Sequence, residues 1–419
     1  MKNPFKNSAL NKQIFILGLV SLFTDISSEM ILPLIPLFLS GVLLADVSII
    51  GLIEGVAEST SNILKGISGF LTDRVKRKKD LVYLGYGLSS VSKPVIAFAG
   101  MWQIVLGARF GDRIGKGIRT SPRDFLLSSS ADEKHQGIAF GLHRAMDTSG
   151  ALIGSILALL LLIFLSYNND VYRIAFLASF IPAIIGVGLI FFFKEKDVQK
   201  KSETINKVNI SLPNEFKVFI LVSLFFGFVQ VAPAFFILRS QEIFNVSKTS
   251  FWIFSGPIAG AIFAVFGFLV YNFIYAITAI KLGSLSDRFG RLPVIISGLI
   301  LFAGILLFFA FIPIFNAPLL VIIAMALYGL YIASTEGILK AFVADMTKGE
   351  LIKRRGTAYG WFNLTIGIAA LGSSVTFGIV SQMMGIGHAF FIFGILTILP
   401  ISLLIIYNKT YNRTLKAMQ

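Results

Sequence analysis

Charged side chains set inside apolar stretches are the groups of this chain best placed to do chemistry. Leu106–Asp124 reads LGARFGDRIGKGIRTSPRD, and in it Arg109, Asp112, Arg113, Lys116, Arg119 and Arg123 recur at i, i+3, i+4, i+7, i+10 and i+14. At about 3.6 residues per turn these lie on one face of one helix. Asp25 and Glu29 stand four apart in FTDISSEMILPLIP; Glu54 and Glu58 repeat that spacing, and Lys65 continues their face. Two carboxylates one turn apart repel each other, and a proton held by one of them relieves the repulsion. A carboxyl poised between charged and neutral forms is what proton coupling requires. The plainer alternative is a structural carboxyl, protonated or paired with Lys. Arg144 and Asp147 stand three apart, with His143 four before Asp147. Glu336 precedes Lys340 by four, the favourable order for a helical ion pair and so a structural reading.

The elements that must position these groups are apolar. The chain of 419 residues is 55% hydrophobic and 14% charged, with 41 Phe, against about 25% charged in a soluble domain. Repeated apolar runs of about twenty residues read as membrane-spanning helices. Twelve spans are expected, roughly at 14–40, 46–68, 81–100, 102–122, 137–165, 172–193, 217–240, 251–282, 292–315, 318–345, 357–384 and 388–407. A charge facing lipid at mid-depth costs about 2.5–3.5 kcal/mol even on the lower scales, so the stripe from Arg109 to Arg123 must line a wet cavity or be paired inside a bundle. Glu54 falls nearer the outer end of its span, which makes Glu29 and Glu58 the better mid-depth candidates.

The net charge of +15 is explained by topology rather than by nucleic acid. Lys and Arg crowd alternate connections, such as Arg74–Lys79, Lys194–Lys217 and Lys348–Arg355, together with both termini, whereas Arg173, Arg239 and Lys248 alone mark the opposite side. The positive-inside rule then places both termini in the cytoplasm, as an even span count requires. The absence of Cys removes disulfides and thiolate metal sites, and three His residues argue against a dedicated metal cage. There is no G-x-x-x-x-G-K-[ST] for ATP, and no cofactor is called for. The run from Ile14 is long, carries acids and lacks a small-residue cleavage site, so it reads as a span and not as a cleaved signal.

The chain repeats itself. Gly69–Arg77, GFLTDRVKR, returns as Gly283–Arg291, GSLSDRFGR; Gln136–Gly141, QGIAFG, returns as Arg355–Gly360, RGTAYG; and Gly117-Ile118 has a counterpart in Gly337-Ile338. Matches in one order at nearly one offset imply two parallel six-helix repeats. The expected organisation is an N-terminal six-helix bundle at 1–193, a polar cytoplasmic linker at 194–216, a C-terminal six-helix bundle at 217–407 and a cytoplasmic tail at 408–419. Gly-x-x-x-Gly at Gly51/Gly55, Gly111/Gly115, Gly137/Gly141, Gly256/Gly260 and Gly356/Gly360 reads as close helix packing. Pro33, Pro36 and Pro94 are candidates to break spans 1 and 3. Charge is skewed to the first half, so ion handling is expected there and an apolar wall from the second. Phe225, Phe226, Tyr271, Tyr275, Tyr328, Tyr331, Trp361 and Phe362 are candidates to face a cavity, or else core and lipid contacts.

The segment after the second span resembles the signature loop of the major facilitator superfamily, G-x-L-x-D-R-x-G-R-K. Gly69, Leu71, Asp73, Arg74, Arg77 and Lys78 match, with Lys76 in place of the second Gly; Gly283, Leu285, Asp287, Arg288, Gly290 and Arg291 match more fully. Within that superfamily the chain is similar to bacterial multidrug and siderophore transporters. Arg109, Phe110, Ile114, Gly115 and Gly117 fit the fourth-span pattern R-F-x-Q-G-x-G-x-G of proton antiporters, while Asp112, Arg113 and Lys116 stand where Gln, Gly and a small residue are usual. Gly150-Ala-Leu-Ile-Gly154 is a faint match to the Gly-rich fifth-span motif. The resemblance implies a multi-pass secondary transporter of a prokaryotic inner (plasma) membrane, a monomer working by alternating access, with protons, a small-molecule solute and lipid as partners and no nucleic acid. The residues of the two segments suggest a cytoplasmic latch, in which Asp73 and Asp287 hold that side shut in the outward-facing state and Arg119 or Arg123 answers Asp73; the plainer alternative is a topology and folding signal. Export of small amphipathic compounds is favoured. The alternative is carriage of an organic anion, a carboxylate or siderophore, gripped by Arg109, Arg113, Lys116 or Arg144. A third possibility is a non-transporting receptor or lipid-handling protein, for which no catalytic constellation speaks.

Overall fold

The computed structural model describes residues 12–418 apart from 76, 132–134, 167–169, 196–211, 249, 252, 349–350 and 352–353, and apart from the side chains of 70, 71, 73, 74 and 412–418. Among the described residues it is helical, with a single isolated bridge between Phe251 and Phe254. The helices are α1 (Lys12–Ile31), α2 (Leu34–Gly41), α3 (Val47–Arg74), α4 (Lys78–Ala97), α5 (Trp102–Ser130), α6 (Gln136–Phe164), α7 (Val171–Phe191), α8 (Asn214–Phe228), α9 (Pro233–Val246), α10 (Gly256–Phe289), α11 (Arg291–Phe311), α12 (Leu319–Asp345), α13 (Arg355–Met384), α14 (Ile386–Leu396) and α15 (Ile398–Met418). Among the described residues nine stretches are long and apolar enough to cross a bilayer, Lys12–Gly41 and Asn214–Val246 each being built of two consecutive helices. The chain is therefore a multi-pass integral membrane protein. Helices α3, α4 and α5, of 28, 20 and 29 residues, fall outside that set because their sequences are more polar.

Several boundaries differ from the sequence reading, each for a local reason. Most of the signature segment is helical in both copies: α3 runs through Thr72 to Arg74, with α4 beginning at Lys78, and α10 runs on to Phe289, stopping at Gly290 with φ +95°. Helix α5 does not end near 122. It passes through Pro122 to Ser130 because Leu126 and Leu127 bury themselves against Ile14, Leu17, Val20 and Tyr86. Pro33 does separate α1 from α2, since it lacks the N–H that would continue the ladder. Pro36 stays inside α2, and Pro94 stays in the last turn of α4, so neither breaks its span.

The described chain forms two compact units. The first takes Met1–Leu32, Thr60–Leu161 and Tyr167–Ile210; the second takes Pro33–Ser59, Leu162–Ser166 and Ser211–Gln419. In the first unit α4 packs along α5, and both α1 and α4 pack on α7. The start of α4 is fixed by Glu195, whose two carboxylate oxygens accept the backbone N–H groups of Lys78 (3.0 Å) and Lys79 (3.1 Å). Such a cap satisfies donors that the first helical turn leaves open.

Glycines set how closely these helices approach. A Cβ at Gly115 would strike the carbonyl of Gly85, so the α4 and α5 backbones touch there, and one at Gly117 would strike Leu64 of α3. Gly150 and Gly154, one turn apart on α6, face the α1 carbonyls of Leu22 and Ile26, each 2.5 Å from where a Cβ would stand, with the Asp25 and Glu29 side chains beside them. Gly150→Leu or Gly154→Leu should therefore lower stability by roughly 1–3 kcal/mol, while Gly188→Leu, where nothing lies within 4 Å, should be silent. Unfolding midpoints of the three variants in detergent check this; equal midpoints would refute the contact. Gly51 and Gly55 press α3 onto Ser374 and Leu371 of α13 in the second unit. Gly137, Gly141, Gly356 and Gly360 meet nothing within 4 Å, so the close packing expected of those two repeats is not made; in the Gly256/Gly260 repeat Gly256 is open while Gly260 lies against Asn245 and Gln241 of α9.

The second unit has an aromatic core. Phe236 stacks on Tyr328 (ring centroids 4.3 Å) and meets Phe309 and Phe390 edge-on; Phe219 packs with Phe342, Phe362 and Tyr407. Phe226 and Phe362 thus belong to the core, and Trp361 is an exposed surface residue. The helix interrupts itself between α8 and α9, at Val229–Ala232 ahead of Pro233. Gln230 in that joint accepts a hydrogen bond from the Tyr331 hydroxyl of α12, its backbone carbonyl accepts one from Ser373 of α13 (2.5 Å), and its Nε2 donates to the Phe226 carbonyl (3.3 Å).

Candidate functional site

The first unit gathers the charged residues of α5 with partners from α4, α1 and α6. Because α4 and α5 meet backbone to backbone, long side chains flanking the contact are enclosed. Arg109, Asp112, Arg113 and Arg119 are all buried, as the stripe requires. Asp112 accepts a hydrogen bond from the Ser89 hydroxyl of α4 and lies 3.7 Å from Lys93 Nζ and 3.8 Å from Arg113 Nε. Lys93 is fully buried and also donates to the Ser89 carbonyl at 2.8 Å. Two formal charges this deep persist only because each has a counter-charge and hydrogen bonds. Lower on α5, the Arg119 guanidinium lies over the Tyr86 ring at 4.2 Å, and Arg123 grips Asp124 at 2.9 and 3.1 Å.

A second group sits between α1 and α6. Asp147 accepts from the Ser21 hydroxyl and lies 3.6 Å from Arg144 Nη1. Asp25 and Asp147 are neighbouring carboxyls, brought within side-chain reach of each other by the packing of α1 on α6. Lys116 and Glu29 are the next charged neighbours of Asp25. Asp147, from the helix opposite, thus joins Glu29 among the acids around Asp25. His143 is buried beside Arg123, Asp147 and Asp124, and its Nε2 has no hydrogen-bond partner among the described residues.

Other expected site residues lie apart from these groups. Glu54 and Glu58 belong to the first half of α3, in the second unit, while Lys65 is in the first, where it donates to Asn62 (3.4 Å). Glu336 pairs with Lys340 at 3.1 Å on a half-exposed surface, with the Tyr275 hydroxyl 3.4 Å away. In the second signature copy, Asp287 pairs with Arg291 (2.5 Å), which also binds Asp345 at the end of α12 (3.1 Å); Arg288 lies over the Phe289 ring instead. Gly69 and Gly283 meet nothing within 4 Å, and the side chains of Asp73 and Arg74 lie outside the described residues.

Sequence reasoning passed over Lys93, Ser89, Ser21, Tyr86, Gln230 and Asp345. Lys93 was detectable as a cation inside an apolar span. The hydroxyls and Tyr86 carry no such signal, because their roles come from the helix opposite.

Helices of membrane-spanning length, two copies of one signature segment and ion pairs enclosed among helices define a polytopic membrane protein built on an internal repeat. A sequence profile for the Major Facilitator Superfamily matches residues 17–271 and again 266–417, and the chain belongs to that superfamily. It is 36% identical over 379 residues to an MFS-type transporter of Methanocaldococcus jannaschii, covering 90% of each chain. It is 25% identical over 369 residues to an uncharacterised protein of Mycobacterium tuberculosis, covering 87% of this chain and 85% of that one. Among solved structures, the nucleoside transporter NupG superposes with a TM-score of 0.76 at 12% identity, over 95% of this chain and all of that one. A D-xylose-proton symporter superposes with a TM-score of 0.71 at 17% identity, over 93% and 96%. At those identities the likeness is one of fold. As a transporter of this family, the protein carries a small-molecule solute within the membrane and is not an enzyme.

Proposed function

We propose that this protein is a proton-coupled secondary transporter that moves a small organic solute by alternating access. The observation that carries the reading is the Asp25–Asp147 contact, steadied by Ser21 and flanked by Arg144. Two carboxyls sharing a proton between α1 and α6 can release it when those helices separate and regain it when they close, which ties a proton to a helix movement. In this reading the chain spans the inner membrane of a prokaryote twelve times, with α3, α4 and α5 counted among the spans. Both termini are cytoplasmic, six-helix bundles occupy 1–193 and 217–407, and the monomer is the working unit.

Export of amphipathic compounds is the first choice for the solute, on the family resemblance. Carriage of an organic anion is the second, favoured by a buried α5 face built from Arg109, Arg113 and Arg119. Thermal stability of the detergent-purified protein against panels of organic anions and lipophilic cations, at two pH values, separates them, because a ligand bound only by the folded form raises its stability as RT ln(1 + [L]/Kd). Stabilisation by cations that is lost in Asp25→Asn or Glu29→Gln supports export. Stabilisation by carboxylates that is lost in Arg109→Gln or Arg113→Gln moves the assignment to the anion. Stabilisation indifferent to all four variants would remove the transport site from this unit.

A further inference from the structure

The second unit contains a cleft of about 540 Å³, open on one side, that none of the groups described so far occupies. It lies where the end of α2, the start of α3, the second half of α9, the end of α13 and the start of α14 meet. Its size is within the usual range for small-molecule sites, about 300–1,000 Å³. Ser40, Gln241, Glu242, Asn245 and Ser381 supply its polar lining, and Leu238 is among the apolar residues on its wall.

Three observations indicate a built site. First, the Ser381 hydroxyl is buried, at 5% exposure for the residue, without a hydrogen-bond partner among the described residues, although it lines the cleft. A buried hydroxyl left in that condition costs free energy unless a ligand or water completes it. Second, the walls are held in place. The Gln382 side chain accepts the Val47 N–H at 3.2 Å and donates to Asp46 at 3.5 Å, while Gly51, Gly55 and Gly378 let α3 and α13 touch by backbone.

Third, the charge is one-sided. Among the described residues Glu242 is the only charged one of the lining, and it is half-exposed. Its partner Arg239 is buried behind it and committed: Nη1 lies 2.9 Å from Glu242 Oε2, Nε donates to the Phe309 carbonyl (3.3 Å) and Nη2 to the Ala310 carbonyl (3.2 Å). The second Glu242 oxygen is left with the two amides and two hydroxyls as hydrogen-bonding groups along the cleft. An anionic ligand would meet a carboxylate and no lining cation. A ligand with one ammonium and several hydroxyls would match every polar group.

We infer that this cleft is a second ligand site, distinct from the α1–α6 acids, and that it takes a small hydroxylated amine of the amino-sugar or amino-alcohol class. The ammonium pairs with Glu242; the hydroxyls reach Gln241, Asn245 and Ser381.

The test compares three related pyranoses, one cationic, one neutral and one anionic. Glucosamine, glucose and glucuronate are added at equal concentration and ionic strength to the full-length protein in detergent, and the unfolding midpoint is read. A non-specific sugar effect raises all three alike. The expected order is glucosamine above glucose, with glucuronate no better than its sodium chloride control. Glu242→Gln should reduce the glucosamine shift to that of glucose. Should that variant fail to fold because Arg239 loses its partner, Asn245→Leu and Ser381→Val decide: each should cut the glucosamine shift by half or more. Asp25→Asn should leave the shift unchanged. Equal shifts for the three rings, a glucosamine shift that survives both Asn245→Leu and Ser381→Val, or its loss in Asp25→Asn would overturn the assignment.

Discussion

Asp147→Asn should abolish proton-driven movement of the solute while leaving passive exchange intact. The amide has the size of the carboxyl and can still accept from Ser21, so the α1–α6 contact survives. What it cannot do is hold or release a proton. In proteoliposomes, net flux driven by an imposed pH gradient should fall at least about tenfold, equivalent to about 1.4 kcal/mol of barrier. Exchange of labelled for unlabelled solute without a gradient needs no proton turnover and should persist. Asp25→Asn should behave in the same way, since the two carboxyls are neighbours across α1 and α6. Ser21→Ala removes a single hydrogen bond and should reduce flux without uncoupling it. Wild-type accumulation by Asp147→Asn would rule out this pair as the proton carrier.

The largest effect on stability is expected at Asp112. Asp112→Asn strips Lys93 of its counter-charge while the ammonium stays fully buried, with Arg113 and Arg119 as its remaining charged neighbours. Removing one partner of a buried pair costs about 3–5 kcal/mol. Lys93→Met should cost less, because Asp112 keeps Arg113 at 3.8 Å and the Ser89 hydroxyl. The double variant Lys93→Met/Asp112→Leu should recover most of the loss, since apolar replacement of a whole buried pair is often neutral. Midpoints of denaturant unfolding for the two single variants and the double form a thermodynamic cycle. If Asp112→Asn unfolds no earlier than Lys93→Met, the pair is not what keeps Lys93 in the helix contact.

What could be read from the sequence was what is local. Long apolar runs, the repeated signature segment and the stripe on α5 depend on spacing along one helix, and each appears as a helix or a buried face. The partners were not legible, because they come from other helices: Ser21 meets Asp147 across 126 positions, and Lys93 meets Asp112 only because Gly85 and Gly115 let α4 and α5 touch. Like charges one turn apart point to Asp25 with Glu29, which is among the charged neighbours of Asp25; helix packing adds Asp147, which spacing does not show. Helix ends were misjudged where hydropathy changes before the helix does. The signature segment is polar, yet the helix runs well into it in both copies, to Arg74 in the first and to Phe289, just before Gly290, in the second. Five of the ten glycines in Gly-x-x-x-Gly repeats face open space, which spacing alone does not distinguish from the five with neighbours.

The joint at Gln230 bears on how easily the protein changes shape. A continuous helix resists bending because its ladder must be broken in several places at once. Here the ladder is already open, and the loose ends are tied to Tyr331, Ser373 and Phe226 by separate single bonds. Each such bond contributes about 1 kcal/mol net, and they lead to different helices, so they can be exchanged in succession. The joint is therefore a place where bending is cheap: its bonds are exchanged one at a time, and no one step has to carry the cost of breaking a whole ladder.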